Sequence, residues 1–300
     1  MAEPMALATP SGAPPPAPFI VGVGRSGTTL LRLMLDAHPD LAIPTETHFI
    51  PALLQVVETT GDREAALRLL AGAATWPNLG VEIAAVAEAF SRLDPFTPGG
   101  AARAVFGLYA EAQGKPRWGD KTPPYRASMS EIARALPEAR FIHIIRDGRD
   151  VALSYRGLWF GPGDDIQIQA RFWTAEIARA RAQAETLPYY MELRFEDLVT
   201  RPEAELQRIC DFLDVPYTEA MLTYPARAQA RLSEYVQTFG PPGAAPIARD
   251  RFLAIHDRTQ GAPDAERIGR WRTELTALEV RAYEAIAGPV LRDLGYATAA

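Results

Sequence analysis

Residues Pro18 to Leu35, PFIVGVGRSGTTLLRLML, constrain this 300-residue chain more than any other stretch. Phe19, Ile20, Val21 and Val23 read as a buried strand, Gly22 to Gly27 as a tight loop, and Thr28 onward as a helix with apolar Leu30, Leu31, Leu33, Met34 and Leu35. A strand that turns sharply into a helix aims backbone N–H groups and the positive end of the helix dipole at one point, which suits an anion. Against the phosphate-loop pattern GxxxxGK[ST], Gly22 to Thr29 reads GxxxxGTT, with Thr28 in the lysine position and Arg25 inside the loop. The motif therefore points to a phosphate or sulfate ester that is not handled as a Mg-bound triphosphate. Gly24, Arg25, Ser26, Gly27, Thr28 and Thr29 are the candidate contacts, a guanidinium and three hydroxyls among them being donors for anionic oxygens. Ser26 or Thr28 could equally serve as the helix N-cap.

With 31 basic and 37 acidic residues the chain carries a net charge of −6, so an anion site must be a local concentration of positive charge. The same balance speaks against nucleic acid or an anionic membrane surface as a partner. The length suffices for one large α/β domain and allows about two; a single domain over 18–300 is expected. Residues 1–17 read as a disordered Ala/Pro-rich tail, without the basic start and long apolar core of a secretory signal. No apolar run reaches the length of a membrane span, and a cytoplasmic protein is expected. Cys210, the one cysteine, sits in a helical apolar pattern and reads as core; four scattered histidines offer no metal-ligand spacing, and no metal site is expected. Lysine is scarce: Lys115 and Lys121 are the only two, which draws attention to Lys121 in the loop RWGDKTPPY.

Amphipathic patterns near 50–58, 62–72, 81–93 and 100–113 predict a helical insertion after the first strand and helix. Residues 117–125 read as a loop because of their two prolines. A helix over 128–136 precedes a second buried strand, Ala139 to Ile145, which runs into a helix beginning near Arg146. Helix over 166–186, a third strand over 189–195 ending at Glu196 and Asp197, and helix over 202–213 follow. Residues 225–263, rich in Pro, Gly, Ala and Arg, predict a long ordered loop or lid, and 274–293 a closing helix. Strands alternating with helices give a doubly wound parallel sheet of phosphate-loop type, flanked by helices, whose ligands sit beyond the carboxyl ends of the strands. The loop at Gly22 to Gly27, Arg146 and Glu196 all fall there.

Three motifs together resemble the sulfotransferases that use 3′-phosphoadenosine 5′-phosphosulfate (PAPS) and release adenosine 3′,5′-bisphosphate (PAP). GVGRSGTTLL (Gly22 to Leu31) is similar to that family's 5′-phosphosulfate loop, and IIRDGRDVALSY (Ile144 to Tyr155) to its 3′-phosphate site. LRFEDLVTRPEAELQRICDFLDVPY (Leu193 to Tyr217) is similar to the segment that follows in many members. The resemblance implies that Arg146 and Ser154, eight positions apart, hold the 3′-phosphate; an arginine leaving a strand and a serine two turns into the next helix can indeed donate to one phosphate. It further implies a C-terminal phosphate contact from Arg267 or Arg270. The run RSGTTLLRLMLDAHPDLAIPTET is closest to protein-tyrosine sulfotransferases, but His48 stands where those carry arginine, so a peptide tyrosine acceptor is not implied.

Moving a sulfuryl group in line to a hydroxyl or amine needs a base for the acceptor proton and cations over the developing charge. The resemblance puts the base at Glu46, and an apolar setting (Ile43, Pro44, Phe49, Ile50) predicts a raised pKa for it; His48 is the rival. Lys121 resembles the lysine that relatives place near the bridging oxygen, and Arg25 lies beside it in the scheme. Trp76, Phe90, Phe96, Phe106, Trp118, Trp159 and Phe160 are candidate walls of an acceptor pocket. Nucleotide kinases and other phosphate-loop proteins share the strand and helix order and form the alternative class. Acceptor identity and oligomeric state are not readable from the sequence.

Overall fold

The computed structural model describes residues 12, 14–237 and 247–298. Of the expected tail, residues 12 and 14–17 are described, and Ala17 is not tail: it begins the first strand, buried, with its N–H donating to Glu138 O at 3.0 Å.

Strand β1 (Ala17–Gly22) leads through the glycine loop to helix α1 (Thr28–Asp36). A two-residue strand β2 (Leu41–Ala42) precedes helices α2 (Ile50–Thr60), α3 (Arg63–Gly72), α4 (Ile83–Ser91) and α5 (Pro98–Ala112), close to the predicted insertion. The segment expected to be a loop instead carries two short strands, β3 (Arg117–Trp118) and β4 (Asp120–Lys121). Its prolines, Pro123 and Pro124, end β4 without preventing it, since an edge strand of two residues needs few ladder bonds. Helix α6 (Met129–Ala135), strand β5 (Ala139–Ile145), helix α7 (Gly148–Tyr155), helix α8 (Ile166–Ala184) and strand β6 (Tyr190–Arg194) follow the predicted order. Helices α9 (Phe195–Thr200) and α10 (Pro202–Leu213) come next. Within 225–263 the described residues form α11 (Pro225–Leu232) and α12 (Arg249–Ala254), so the segment is more helical than the expected loop; 238–246 lie outside the description. A single turn, α13 (Trp271–Glu274), precedes the closing helix α14 (Ala277–Asp293).

The central sheet runs β4-β1-β5-β6, all parallel, with Ile20 opposite both Lys121 and Ile142. Both faces are covered, which is why the strands read as unbroken apolar runs. Phe19, Val21 and Phe141 face the helical insertion, whereas Ile20, Ile142 and Ile144 face α1, α9 and α10. Cys210 belongs to this second core layer, 1% exposed, as expected. A third layer packs Val23 and Ile145 against α7, α8 and α14 through Trp173, Tyr283 and Leu291. The chain passes from β1 outward to β4 on one side and from β5 outward to β6 on the other, so the crevice beyond the ends of β1 and β5 is a topological switch point, the usual ligand position in such sheets.

Candidate active site

The turn out of β1 is built for close approach. Gly22 (φ 155°) passes so near β5 that a Cβ would lie 2.5 Å from Ile144 O, and at Gly27 (φ 96°) one would lie 2.4 Å from the Phe195 ring. Arg25 takes a left-handed backbone, φ 71°. Gly27 caps α1 with no side-chain bond, so neither Ser26 nor Thr28 serves as the N-cap; the first-turn amides stay open to a ligand. Ser26 Oγ is buried without a partner among the described residues.

A narrow cleft of about 120 Å³ opens on this turn, lined by Thr28 and Thr29, by Ser154, and by Arg25, Arg146, Arg258 and Arg267. Asp264 is the one carboxylate among its described lining residues. Arg146 is 4% exposed; Nη1 donates to Arg25 O (3.2 Å) and Nη2 to Arg267 O (2.7 Å), its plane lies over Phe195, and Nε has no partner among the described residues. Asp150, four residues on, is 4.0 Å away but spends its oxygens on the Gly269 and Trp271 N–H groups, so Arg146 is not neutralised as a surface pair. Arg25 Nε donates to Ser154 Oγ at 3.1 Å. Burial and the repulsion of Arg270, Arg258 and Arg146 push the Arg267 guanidinium down to about 10. Four crowded arginines and orphaned donors in a chain of net charge −6 are the electrostatics of an anion site.

The two C-terminal candidates are placed differently. Arg267 lines the cleft, while Arg270 makes two 2.6 Å bonds to Glu274 and does not. Glu196 is a correction: although it follows β6, its Oε1 accepts from Asp147 N (2.9 Å) and its Oε2 from Tyr296 OH (2.9 Å), and it is absent from the cleft wall. It clamps the β5 to α7 turn. Arg258 was not anticipated; it lies in the segment whose weak periodicity gave no signal.

A second, larger cavity of about 640 Å³ shares Arg25, Thr28, Thr29, Ile255 and His256 with the cleft. Glu46 lines the larger cavity, and Lys121 lies buried behind it. Lys121, at the end of β4, is fully buried, with Nζ 2.7 Å from Glu46 Oε1 and 3.4 Å from Tyr235 OH. His48 Nε2 lies 3.0 Å from Glu46 Oε2 on the exposed side. Thr47 fixes this loop: its N–H donates to Thr122 Oγ1 (3.0 Å) and its hydroxyl to buried Asp120 (2.8 Å). The expectation of a raised Glu46 pKa is overturned. Burial does push it up, but the Lys121 charge and the His48 hydrogen bond outweigh that and hold the carboxyl well below the usual range.

Of the candidate acceptor walls, Trp159 and Phe160 line the larger cavity. Trp76, Phe90, Phe106 and the partly buried Phe96 and Trp118 pack into the helical insertion instead, where aromatic residues at helical spacing usually belong. The walls the sequence did not reveal are Phe172, Tyr235, Phe252 and His256.

The family match agrees with this geometry: a family model described as Sulfotransferase family matches residues 16–219. The chain belongs to the sulfotransferase family. Among curated relatives it is 30% identical over 219 residues to a putative protein-tyrosine sulfotransferase of Caenorhabditis briggsae, covering 68% of this chain and 67% of that one. It is also 30% identical over 303 residues to the nodulation protein NoeE of Sinorhizobium fredii (strain NBRC 101917 / NGR234), covering 93% and 65%. The chain thus spans about two thirds of the length of these relatives. In fold it resembles the sulfotransferase domain from the curacin biosynthetic pathway, with a TM-score of 0.56, 21% identity, and coverage of 96% and 100%. No helix among the described residues is long and apolar enough to cross a membrane.

Proposed function

We propose that this chain transfers a sulfuryl group from PAPS to a hydroxyl or amine acceptor. The observation that carries the reading is the shared wall: one glycine turn borders a basic cleft on one side and an acceptor-sized chamber on the other, and Glu46, bonded to Lys121, lines the chamber. The cleft suits the donor. The α1 amides, Thr28 and Thr29 would take the 5′-phosphosulfate, and Arg146, Ser154 and Arg267 the 3′-phosphate. Arg146, whose Nε has no partner among the described residues, lines the cleft that such a ligand would fill.

In this scheme the acceptor oxygen or nitrogen attacks sulfur as its proton passes to Glu46, and the bond between sulfur and the bridging phosphate oxygen breaks to leave PAP. A strongly ionised carboxylate is always ready to accept, though its low basicity limits the driving force. His48, bonded to the far oxygen and half open to solvent, carries the proton away. Lys121 Nζ leaves Glu46 as that carboxyl is neutralised and follows the charge onto the leaving oxygen. No step requires a metal.

The test is a thermal scan. PAP with chelator present should raise Tm, as any ligand bound only by the folded state does. A clear shift with ATP and Mg²⁺ but none with saturating PAP would overturn the reading in favour of a nucleotide kinase.

A further inference from the structure

The polar and apolar parts of the larger cavity are segregated. Phe49, Trp159, Phe160, Phe172, Phe252 and Ile255 come from four separate segments of chain to form apolar walls, and the volume of about 640 Å³ is that of a site for a small organic molecule. The cavity shares Arg25, of its charged lining residues, with the cleft. Of its two arginines, Arg25 is turned to Ser154, and Arg126 is consumed by Glu176 and by the Gly22 and Pro123 carbonyls (3.1 Å each). Glu46 leaves 30% of its side chain exposed as an ionised carboxylate. A chain of acidic residues would therefore meet a like charge at Glu46, with Arg126 paired to Glu176 and Arg25 turned toward the donor cleft.

His256 supplies the second observation. It is 8% exposed and lines both cavities, and its ring stacks on Tyr235 at 5.4 Å and 12°. Neither ring nitrogen has a hydrogen-bond partner among the described residues; the bond recorded for His256 uses its carbonyl. A buried polar ring left unpaired is costly unless a ligand completes it. Burial and the nearby Lys121 and Arg25 charges push its pKa down to about 3, so the ring is neutral and offers one donor and one acceptor nitrogen, the complement of a hydroxyl.

Resting on the sulfuryl-transfer reading, we propose that the acceptor is a neutral, largely apolar alcohol or phenol, its hydroxyl held at the seam by the His256 imidazole. An acidic peptide does not suit this chamber.

The experiment first measures PAP binding, then compares three acceptors with PAPS: 2-naphthol, a tyrosine peptide flanked by aspartates, and N-acetylglucosamine. Failure of PAP to bind would remove the underlying reading before any acceptor is added. With PAP bound normally, kcat/KM for 2-naphthol should exceed both others by about 100-fold. Faster peptide or sugar turnover, or no turnover of 2-naphthol, overturns the acceptor class. His256→Ala should lower kcat/KM for 2-naphthol about tenfold and His256→Gln, which keeps a donor and an acceptor, should recover most of it. The far-UV circular dichroism spectrum and the ligand-free Tm of both variants, unchanged from the parent chain, serve as the folding control. An alanine variant with full naphthol activity would overturn the His256 contact, and Trp159→Glu should raise the naphthol KM about tenfold if the apolar walls hold the acceptor.

Discussion

The basic cleft is built round two motif-bearing stretches, the turn at Gly22–Gly27 with the start of α1 and the pair Arg146 and Ser154, to which Arg258 and Arg267 are added from the C-terminal part, whereas the larger chamber collects its apolar walls singly from Phe49 to Phe252. The cleft works chiefly with backbone amides whose direction is set by a strand entering a helix, and a single added Cβ at Gly27 would collide with Phe195. The chamber works with side chains on loops and short helices, where one residue can be exchanged without moving the sheet. The contrast teaches that the two halves of the site should respond separately to substitution: changes on one side should spare the ligand of the other.

The largest effect is expected in the chamber, at Glu46. Glu46→Gln should lower kcat by about 10²–10⁴-fold, the range for a lost general base, while leaving PAP affinity nearly unchanged in calorimetry. A parallel loss of PAP binding would place Glu46 in the cleft and break the separation. If His48→Asn abolishes turnover while Glu46→Gln keeps it, the two exchange roles.

Within the cleft, Arg146→Ala should weaken PAP by about 1.5–3 kcal/mol, as expected for hydrogen bonds to a charged group. Adenosine 5′-phosphosulfate, which lacks the 3′-phosphate, should bind equally to both forms. Equal losses for the two nucleotides would mean that Arg146 shapes the turn and does not read the 3′-phosphate.

On the chamber side, Asp120 gives a pH signature. Burial pushes its carboxyl up to about 6, against the Thr47 hydrogen bond. The folded chain then holds this proton more tightly than the unfolded one, so the contribution to stability is full below about pH 4 and is lost as the pH rises through 6, by an amount on the order of 2–3 kcal/mol. Melting curves from pH 4 to 7 should show Asp120→Asn lacking that decline. PAP affinity measured over the same range should not follow it.

The smallest effect sharpens the cleft's boundary. Arg267→Ala should weaken PAP by roughly 3–10-fold, and Arg270→Ala, already paired with Glu274, by less than about twofold. The reverse order, seen in a titration of both variants, would move the cleft toward Arg270.

What was legible in the sequence follows the same division. β1, β5 and α10 were readable because two-sided burial or a strict helical period leaves a pattern in consecutive residues. Strand β4 was hidden because two residues carry no period, and α11 because its Ala- and Arg-rich stretch buries only Ala228 and Leu232. The rule that ligands lie beyond strand ends located Glu196 correctly but said nothing of its partners, which turn it into a clamp. The Glu46 pKa was misjudged for the same reason: its apolar neighbours are adjacent in sequence, while the cation that dominates, Lys121, is 75 residues away. His256 had no motif to announce it, since its meaning comes from the cavities it separates.

The chain's two lysines have a practical consequence. Lys121 is wholly enclosed, and Lys115, with 11% of its side chain exposed and burial pushing it down to about 8, donates to the Asp36 and Leu41 carbonyls. Apart from the terminal amine, an acylating reagent therefore finds no freely accessible primary amine on the folded molecule. Modification at Lys121, read by peptide mass spectrometry, would count the moments when its contact with Glu46 opens to solvent, and would do so without any engineered label.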